Sequence, residues 1–270
     1  MKIIKDKNKL RGLISNEKNL GFVPTMGAIH NGHISLIKRS ISECHKTIVS
    51  IYINKPQFNN RKDFQKYPRL INKDISVLKK MKIDYLFLPN DKQIYENGKN
   101  NNIKINSFEK ELCGKFRPGH FKAVVDVIER FIKIINPKKI YLGEKDMQQL
   151  KIVEDFVKKN HKKTQIIGCK TIREKNGIAY SSRNFLLSSK QKSVASKIYK
   201  LLSYKKKFLI KNRSYLKEIK NKIKAFGIKK IEYLKVINMN KLIKPYIKNN
   251  NEYRIFISYY LGKVRLIDNI

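Results

Sequence analysis

The sequence contains no tryptophan, only three cysteines, and 21 acidic residues against 61 lysines and arginines. Each shortage excludes something. Cys44, Cys113 and Cys169 stand far apart and form no C-x-x-C pair, so neither a disulfide framework nor a zinc site is expected. A reducing, cytoplasmic compartment fits that pattern. No run approaches the ~18 apolar residues of a membrane helix. The opening MKIIKDKNKL lacks the apolar stretch of a secretory signal, so no membrane association is expected. The shortage of acid leaves a formal net charge of +40, which alone would suggest a polyanionic partner. Lysine, asparagine and isoleucine are abundant along the whole chain, however, and no local basic stripe carries interleaved aromatics. The excess therefore reads as compositional drift on solvated faces, and no specific nucleic-acid partner is expected.

What remains is enough for a folded enzyme. Of 270 residues, 41% are hydrophobic, which suits one large or two modest domains. Short apolar runs at 20–25, 46–54, 84–89, 138–143 and 164–169 read as buried strands. Helical periodicity separates them. It is clearest over 120–135, where Phe121, Val124, Val125, Ile128, Phe131, Ile132 and Ile135 share a face and Asn136-Pro137 ends the run. The alternation predicts an α/β fold, a Rossmann-like doubly wound parallel sheet over residues 1–172. After a break near Glu174–Gly177, read as a hinge, a lysine-rich helical stretch from about Ser189 to Phe226 is interrupted near Asn212. Two strand-like runs follow at 231–239 and 253–261, separated by an Asn-rich loop. Residues 173–270 are therefore expected to form a smaller α+β domain with an antiparallel sheet.

Five segments carry groups suited to chemistry. In GFVPTMGAIHNGHISLI (21–37) a strand enters a glycine turn and a helix opens near Gly32–His33, so that His30 and His33 can face a phosphate held at the helix N-terminus. In YINKPQFNNRKDFQKYPR (52–69), Asn54, Gln57 and Tyr67 are neutral polar groups at a strand's carboxyl end, suited to hydroxyls and a carboxylate, or else ordinary turn residues. In RPGHF (117–121), Arg117, Gly119 and His120 precede a helix and offer either a second anion site or a plain turn. In GEKDMQQL (143–150), Lys145 could pair with a phosphate, Asp146 with a ribose hydroxyl or a metal, and Gln149 with a polar substrate. In AYSSRNF (179–185), Ser181, Ser182 and Arg183 offer two hydroxyls and a planar fork suited to a leaving pyrophosphate.

Taken in order, PTMGAIHNGH, YPR, RPGHF, GEKDMQQL and SSRN resemble the pantothenate synthetase (pantoate–β-alanine ligase) family, of the H-x-G-H nucleotidyltransferase superfamily, and LGKVRLIDNI (261–270) resembles its C-terminus. The resemblance implies a ligase that joins pantoate and β-alanine through a pantoyl adenylate, with ATP as substrate and Mg2+ as cofactor. It implies ATP contacts along Met26, Gly27, Ala28, Ile29, His30, Asn31, Gly32 and His33, along Gly143, Glu144, Lys145 and Asp146, at Ile172, and along Tyr180, Ser181, Ser182 and Arg183. His33 matches the family's catalytic histidine. Gln57 and Gln149 match its pantoate ligands, the former also near β-alanine, and a homodimer is implied. Departures from the family pattern are Tyr180 for Met, Lys55 before Pro56, Ala123 for Gly, and Lys62 for an acid. Two rival readings are a sister nucleotidyltransferase, which would need a cationic substrate pocket, and an RNA-binding module, which would not turn over ATP.

Overall fold

The computed structural model describes residues 1–239 and 252–270, so the Asn-rich loop lies largely outside the described residues. Nine strands are described: β1 Lys2–Ile4, β2 Leu20–Thr25, β3 Lys46–Ile51, β4 Tyr85–Phe87, β5 Lys139–Gly143, β6 Gln165–Cys169, β7 Ile231–Asn238, β8 Tyr253–Leu261 and β9 Val264–Asn269. The ten α-helices among the described residues are α1 Lys7–Ile14, α2 Asn31–Glu43, α3 Arg61–Lys66, α4 Ile71–Lys80, α5 Asp91–Ile94, α6 Leu112–Phe116, α7 His120–Ile135, α8 Met147–Asn160, α9 Ser189–Lys211 and α10 Leu216–Ala225.

The first six strands form one parallel sheet in the order β1-β4-β3-β2-β5-β6. Strand order reverses between β2 and β5, and a ligand site is expected at the carboxyl ends of those two strands. The sequence opens the crevice there. Pro24 lies in a central strand, where a missing N–H normally weakens the ladder. Thr25 turns its carbonyl toward β3, accepting from Tyr52 N–H, so Pro24 faces β5. The β2–β5 register extends only over Gly21↔Lys139 and Phe22↔Ile140. The two strands part just where the N–H is absent.

Helix α7 buries all seven apolar residues of its predicted stripe, each worth roughly 1.5–3 kcal/mol of gross burial. Asn136 ends it in the left-handed region at φ +49°, with Pro137 beyond. Strands β3 and β4 are shorter than the apolar runs that predicted them. The chain at Tyr52–Asn54 leaves the sheet to line the crevice, and Pro56 starts a 3₁₀ turn at Lys55–Gln57.

The smaller lobe packs α9 and α10 on the antiparallel sheet β7-β8-β9. Its core is drawn entirely from residues between Ile178 and Leu266. The helical stretch breaks at Asn212, which caps α9. A capping box of Ser188 and Gln191 starts that helix. Tyr233, Met239 and Phe256 join the large lobe's core instead and tie the lobes together. The expected hinge is a tight turn. Gly177 N–H donates to Glu174 O at 2.8 Å, and Arg173 pairs with Ala179. Gly177 is required twice over: its φ is +93°, and a Cβ there would lie 2.2 Å from the Tyr199 ring.

Candidate active site

One cavity opens at the β2–β5 crevice and is closed on its far side by the smaller lobe. All five motif segments reach its wall.

The H-x-G-H segment supplies two stacked imidazoles, His30 and His33, with ring centroids 4.0 Å apart. The intervening glycine is needed for that geometry, because a Cβ at Gly32 would sit 2.9 Å from the His30 ring. His30 is the N-cap of α2 but makes no side-chain cap bond, leaving its ring for other work. The Nδ1 atoms of both histidines are buried with no hydrogen-bond partner among the described residues. Buried polar atoms are normally paired, so two adjacent exceptions at a helix N-terminus mark a place for a ligand. Burial, with the charge of Lys145 next, lowers His30 to about 4. Burial, His30 and Lys145 together hold His33 well below its ordinary value. Both rings are neutral near pH 7.

The turn before them is locked from beneath. Ala28 and Ile29 donate their N–H groups to Asp74 of α4 at 2.8 and 2.7 Å. Gly27, Ala28 and Ile29 therefore lie behind the cavity wall, whereas Met26, His30, Gly32 and His33 line it. Asn31 sits at the rim, donating to the Tyr180 hydroxyl at 2.9 Å. Tyr180 also stacks on His30 at 6.1 Å.

Lys145 and Asp146 line the cavity, in contact with each other at 3.4 Å. Their turn is held from the far end of the chain. Asn269 donates to the carbonyls of Glu144 and Lys145 at 2.8 and 2.9 Å. Glu144 itself turns away from the cavity to pair with Arg254 at 3.0 Å. Gly143 and Ile172 lie in the wall. The two neighbouring glutamines both reach the cavity wall, but Gln148 is spent tying down Cys113, Phe108 and Glu111.

Gln57 is the best supported of the polar residues. Its carbonyl accepts from Arg117 at 3.0 Å and from His120 Nδ1 at 2.8 Å, and Arg117 also donates to His120 Nε2. Asn54, 1% exposed, donates to Gln57 Oε1 and Ala123 O and accepts from Tyr95. Tyr67 lines the wall beneath Arg183, whose guanidinium lies 6.0 Å from its ring.

Three guanidiniums converge at this end. Burial, then the charges of Arg183 and Arg265, pull Arg117 down to about 10. Arg183 pairs with Asp63 at 2.9 Å, and Arg265 with the buried Glu232 at 2.7 Å. Arg265, Asn269 and Asp74 carried no motif signal when read singly. The first two lie in the C-terminal LGKVRLIDNI run, the only hint of them in the sequence.

The lowered histidines set an acid limit on stability. Burial also lowers His120, with Arg117 next. In the unfolded chain these groups titrate near 6.5. As pH falls from there toward the folded value of about 4 for His30, the unfolded state binds protons that the folded state does not, and stability drops. His30 alone should cost on the order of 3 kcal/mol by the bottom of that window. The unfolding midpoint should therefore fall between about pH 6.5 and 5, above the range of most carboxylates, and His30→Gln should flatten the fall. A midpoint constant across that interval would remove the buried neutral histidines from the account.

Comparison with known proteins agrees with this geometry. The family model for pantoate-beta-alanine ligase matches residues 2–270. The pantothenate synthetase of Francisella tularensis subsp. mediasiatica is 41% identical, over 98% of this chain and 94% of the relative. The crystal structure of the F. tularensis pantoate-beta-alanine ligase, complexed with beta-gamma ATP and beta-alanine, superposes with a TM-score of 0.83 at 39% identity, covering 100% of this chain and 97% of that one. Pantothenate synthetase from Thermus thermophilus superposes at 0.89 with 28% identity, covering 100% and 99%. A family model spanning nearly every residue, together with relatives this similar over almost their whole length, means that the chain belongs to the pantoate-beta-alanine ligase family.

Proposed function

We propose that the crevice holds ATP along the His30–His33 and Lys145–Asp146 side and pantoate against Gln57 and Gln149, and that both steps of ligation occur there. As a member of its family the chain is an ATP-dependent ligase that condenses pantoate with β-alanine. First, a pantoate carboxylate oxygen attacks the α-phosphorus, the bond to the β-phosphate oxygen breaks, and pyrophosphate leaves. The β-alanine amine then attacks the acyl carbon, loses a proton and expels AMP. A carboxylate is a poor electrophile until a good leaving group is attached to it. The work of the site is to align the reactants and to stabilise charge on pyrophosphate. The observation that carries the reading is the pair of neutral histidine nitrogens, without a partner among the described residues, beside Lys145 at the strand switch point.

The supporting parts follow from the contacts. Lys145 and Arg183 meet phosphate charge, and Ser181 and Tyr180 close over the nucleotide from the smaller lobe. Arg117 and His120 set the height of Gln57, and Asn54 fixes the Gln57 amide. Among the described residues no three His, Cys, Asp or Glu side chains converge on a common point. Asp146 is the carboxylate beside Lys145, and Mg2+ commonly binds through one or two carboxylates plus substrate phosphates. The donor set thus fits an ion that arrives on ATP, with Asp146 as its protein contact. The ion would neutralise phosphate charge.

The separate core beyond Ile178 supports a division into residues 1–172 and 173–270. A homodimer is carried over from the resemblance and a cytoplasmic location from the scarce, unpaired cysteines, and sedimentation would check the first. No helix among the described residues is long and apolar enough to cross a membrane.

The test is exchange of labelled pyrophosphate into ATP. Exchange should require pantoate and proceed without β-alanine; exchange that ignored pantoate, or that waited for β-alanine, would end the two-step reading. Gln57 and Gln149 allow a finer check. Removing an amide that bonds a substrate hydroxyl leaves that hydroxyl buried without its partner. Alanine at either position should raise the pantoate KM by roughly tenfold or more with the ATP KM little changed. An equal rise for both substrates would indicate a general folding defect.

A further inference from the structure

The turn Gly27–Ile29 is gripped on both faces by residues from opposite lobes. Its two peptide units, 27–28 and 28–29, each offer one N–H and one carbonyl. The N–H groups of Ala28 and Ile29 are taken by the two oxygens of Asp74, itself 2% exposed. The carbonyls of Gly27 and Ala28 lie 3.4 and 3.3 Å from the hydroxyl of Ser182, in the loop beyond the 174–177 turn. Ser182 is 6% exposed. The turn needs holding, because Ala28 sits in the left-handed region at φ +51°, next to Gly27 at +79° where glycine is at ease. A Cβ at Gly27 would also lie 3.0 Å from an Asp74 oxygen, so glycine is what lets the carboxylate come so close.

We propose that Asp74 and Ser182 form a clamp across these two peptide units, and that through it the 181–183 loop sets the position of the His30–His33 pair. A peptide whose N–H is bound to a carboxylate carries a more negative carbonyl oxygen and accepts a hydrogen bond better. Asp74 thereby strengthens the docking of Ser182, and docked Ser182 holds the turn that begins at the foot of His30. Docking also brings Tyr180 onto the His30 ring and Arg183 into the cavity wall. Asp74 and Ser182 are positioning residues. The hydroxyl of Ser182, expected at the phosphates, is directed at the turn, and the Ala28 and Ile29 N–H groups are already occupied. The phosphates are left to the histidines, Lys145, Arg183 and Ser181. This last assignment rests on the reading above; the clamp does not.

The experiment compares Asp74→Asn, Ser182→Ala and the double variant with the unaltered protein, by pyrophosphate exchange and by amide hydrogen exchange at residues 28 and 29. Asparagine keeps the shape but offers one acceptor where two N–H groups need one each. Each single variant should lower the exchange rate about tenfold and raise the ATP KM, with the pantoate KM unchanged. The double variant should be no worse than the poorer single, because both remove one clamp. Amides 28 and 29 should exchange at least about tenfold faster in all three. Losses that multiply in the double variant, or amides 28 and 29 as protected as before, would overturn the clamp. If Asp74→Asn does not fold, amide protection in Ser182→Ala decides alone. If the unaltered protein shows no pantoate-dependent exchange, the proposed reaction fails, and amide protection still judges the clamp.

Discussion

Alanine in place of His33 or Lys145 should slow adenylate formation by on the order of 10²–10³, as for loss of one preorganised donor, with the fold intact. His33 Nδ1 is buried without a partner among the described residues, and its stacking neighbour His30 holds the ring in place. Lys145 pairs with its neighbour Asp146 at 3.4 Å, a partner that an incoming phosphate could replace. Its backbone, by contrast, is fixed by Asn269, so the ammonium is delivered from a rigid turn. Charge that grows on a departing pyrophosphate meets donors that need no reorganisation. Neither replacement removes a packing contact of the large core, so the unfolding midpoint should move by only a few degrees. The measurement is pantoate-dependent pyrophosphate exchange at saturating substrates. A variant that retained near-normal exchange would have to be struck from the catalytic set.

The fold was legible wherever burial writes a pattern. Strands buried on both faces read as continuous apolar runs, and β2, β3, β4, β5 and β6 all lie within the stretches chosen for them. The stripe of α7 and the break at Asn212 were equally plain. Edge strand β1, three residues long with one buried position, gave no such run. Strand β9 hid because Val264, Arg265, Ile267 and Asp268 are half-buried and mix charge with apolar groups. The charge is there for reasons local sequence cannot display. Arg265 answers Glu232, and Asp268 answers Arg173 with bonds of 2.7 and 3.0 Å.

The site divides the same way. Motif segments at strand ends were visible because their glycines and histidines are unusual where they stand. What stayed hidden was the support beneath them. Asp74 looks like an ordinary acid in a lysine-rich helix, yet it holds the phosphate turn from 46 residues away. Asn269 holds Lys145 from 124 residues away. Long-range hydrogen bonds to backbone leave no periodicity and no spacing, so a single sequence gives no sign of them. Of the motif residues expected along ATP, Gly27, Ala28, Ile29 and Glu144 have polar groups that answer Asp74, Ser182, Asn269 and Arg254, partners that local sequence does not display.

Arg183 should matter far more to the chemistry than all the surplus lysine. Its guanidinium lies at the cavity wall over Tyr67 and is held by Asp63 at 2.9 Å, a partner that a pyrophosphate could replace. Arg183→Ala should cost about 10² in pyrophosphate exchange, as loss of one charged donor does. Arg183→Lys keeps the charge but loses the planar fork, which presents two parallel donors to phosphate. It should still cost roughly tenfold. The lysines of α10 and its flanks are placed differently. Lys207, Lys211, Lys217, Lys222, Lys224 and Lys229 are exposed, and none lines the cavity. Changing them together to glutamine should leave the rate per folded molecule nearly intact, while lowering the salt-sensitive affinity for RNA that so large a positive charge confers. Less self-repulsion should also raise the unfolding midpoint slightly. Both sets of variants can be assayed side by side for exchange and for RNA binding at two salt concentrations. Loss of exchange in the lysine set with retention in Arg183→Lys would reverse the assignment, placing the functional charge on the outer face of the small lobe instead of at the cavity wall.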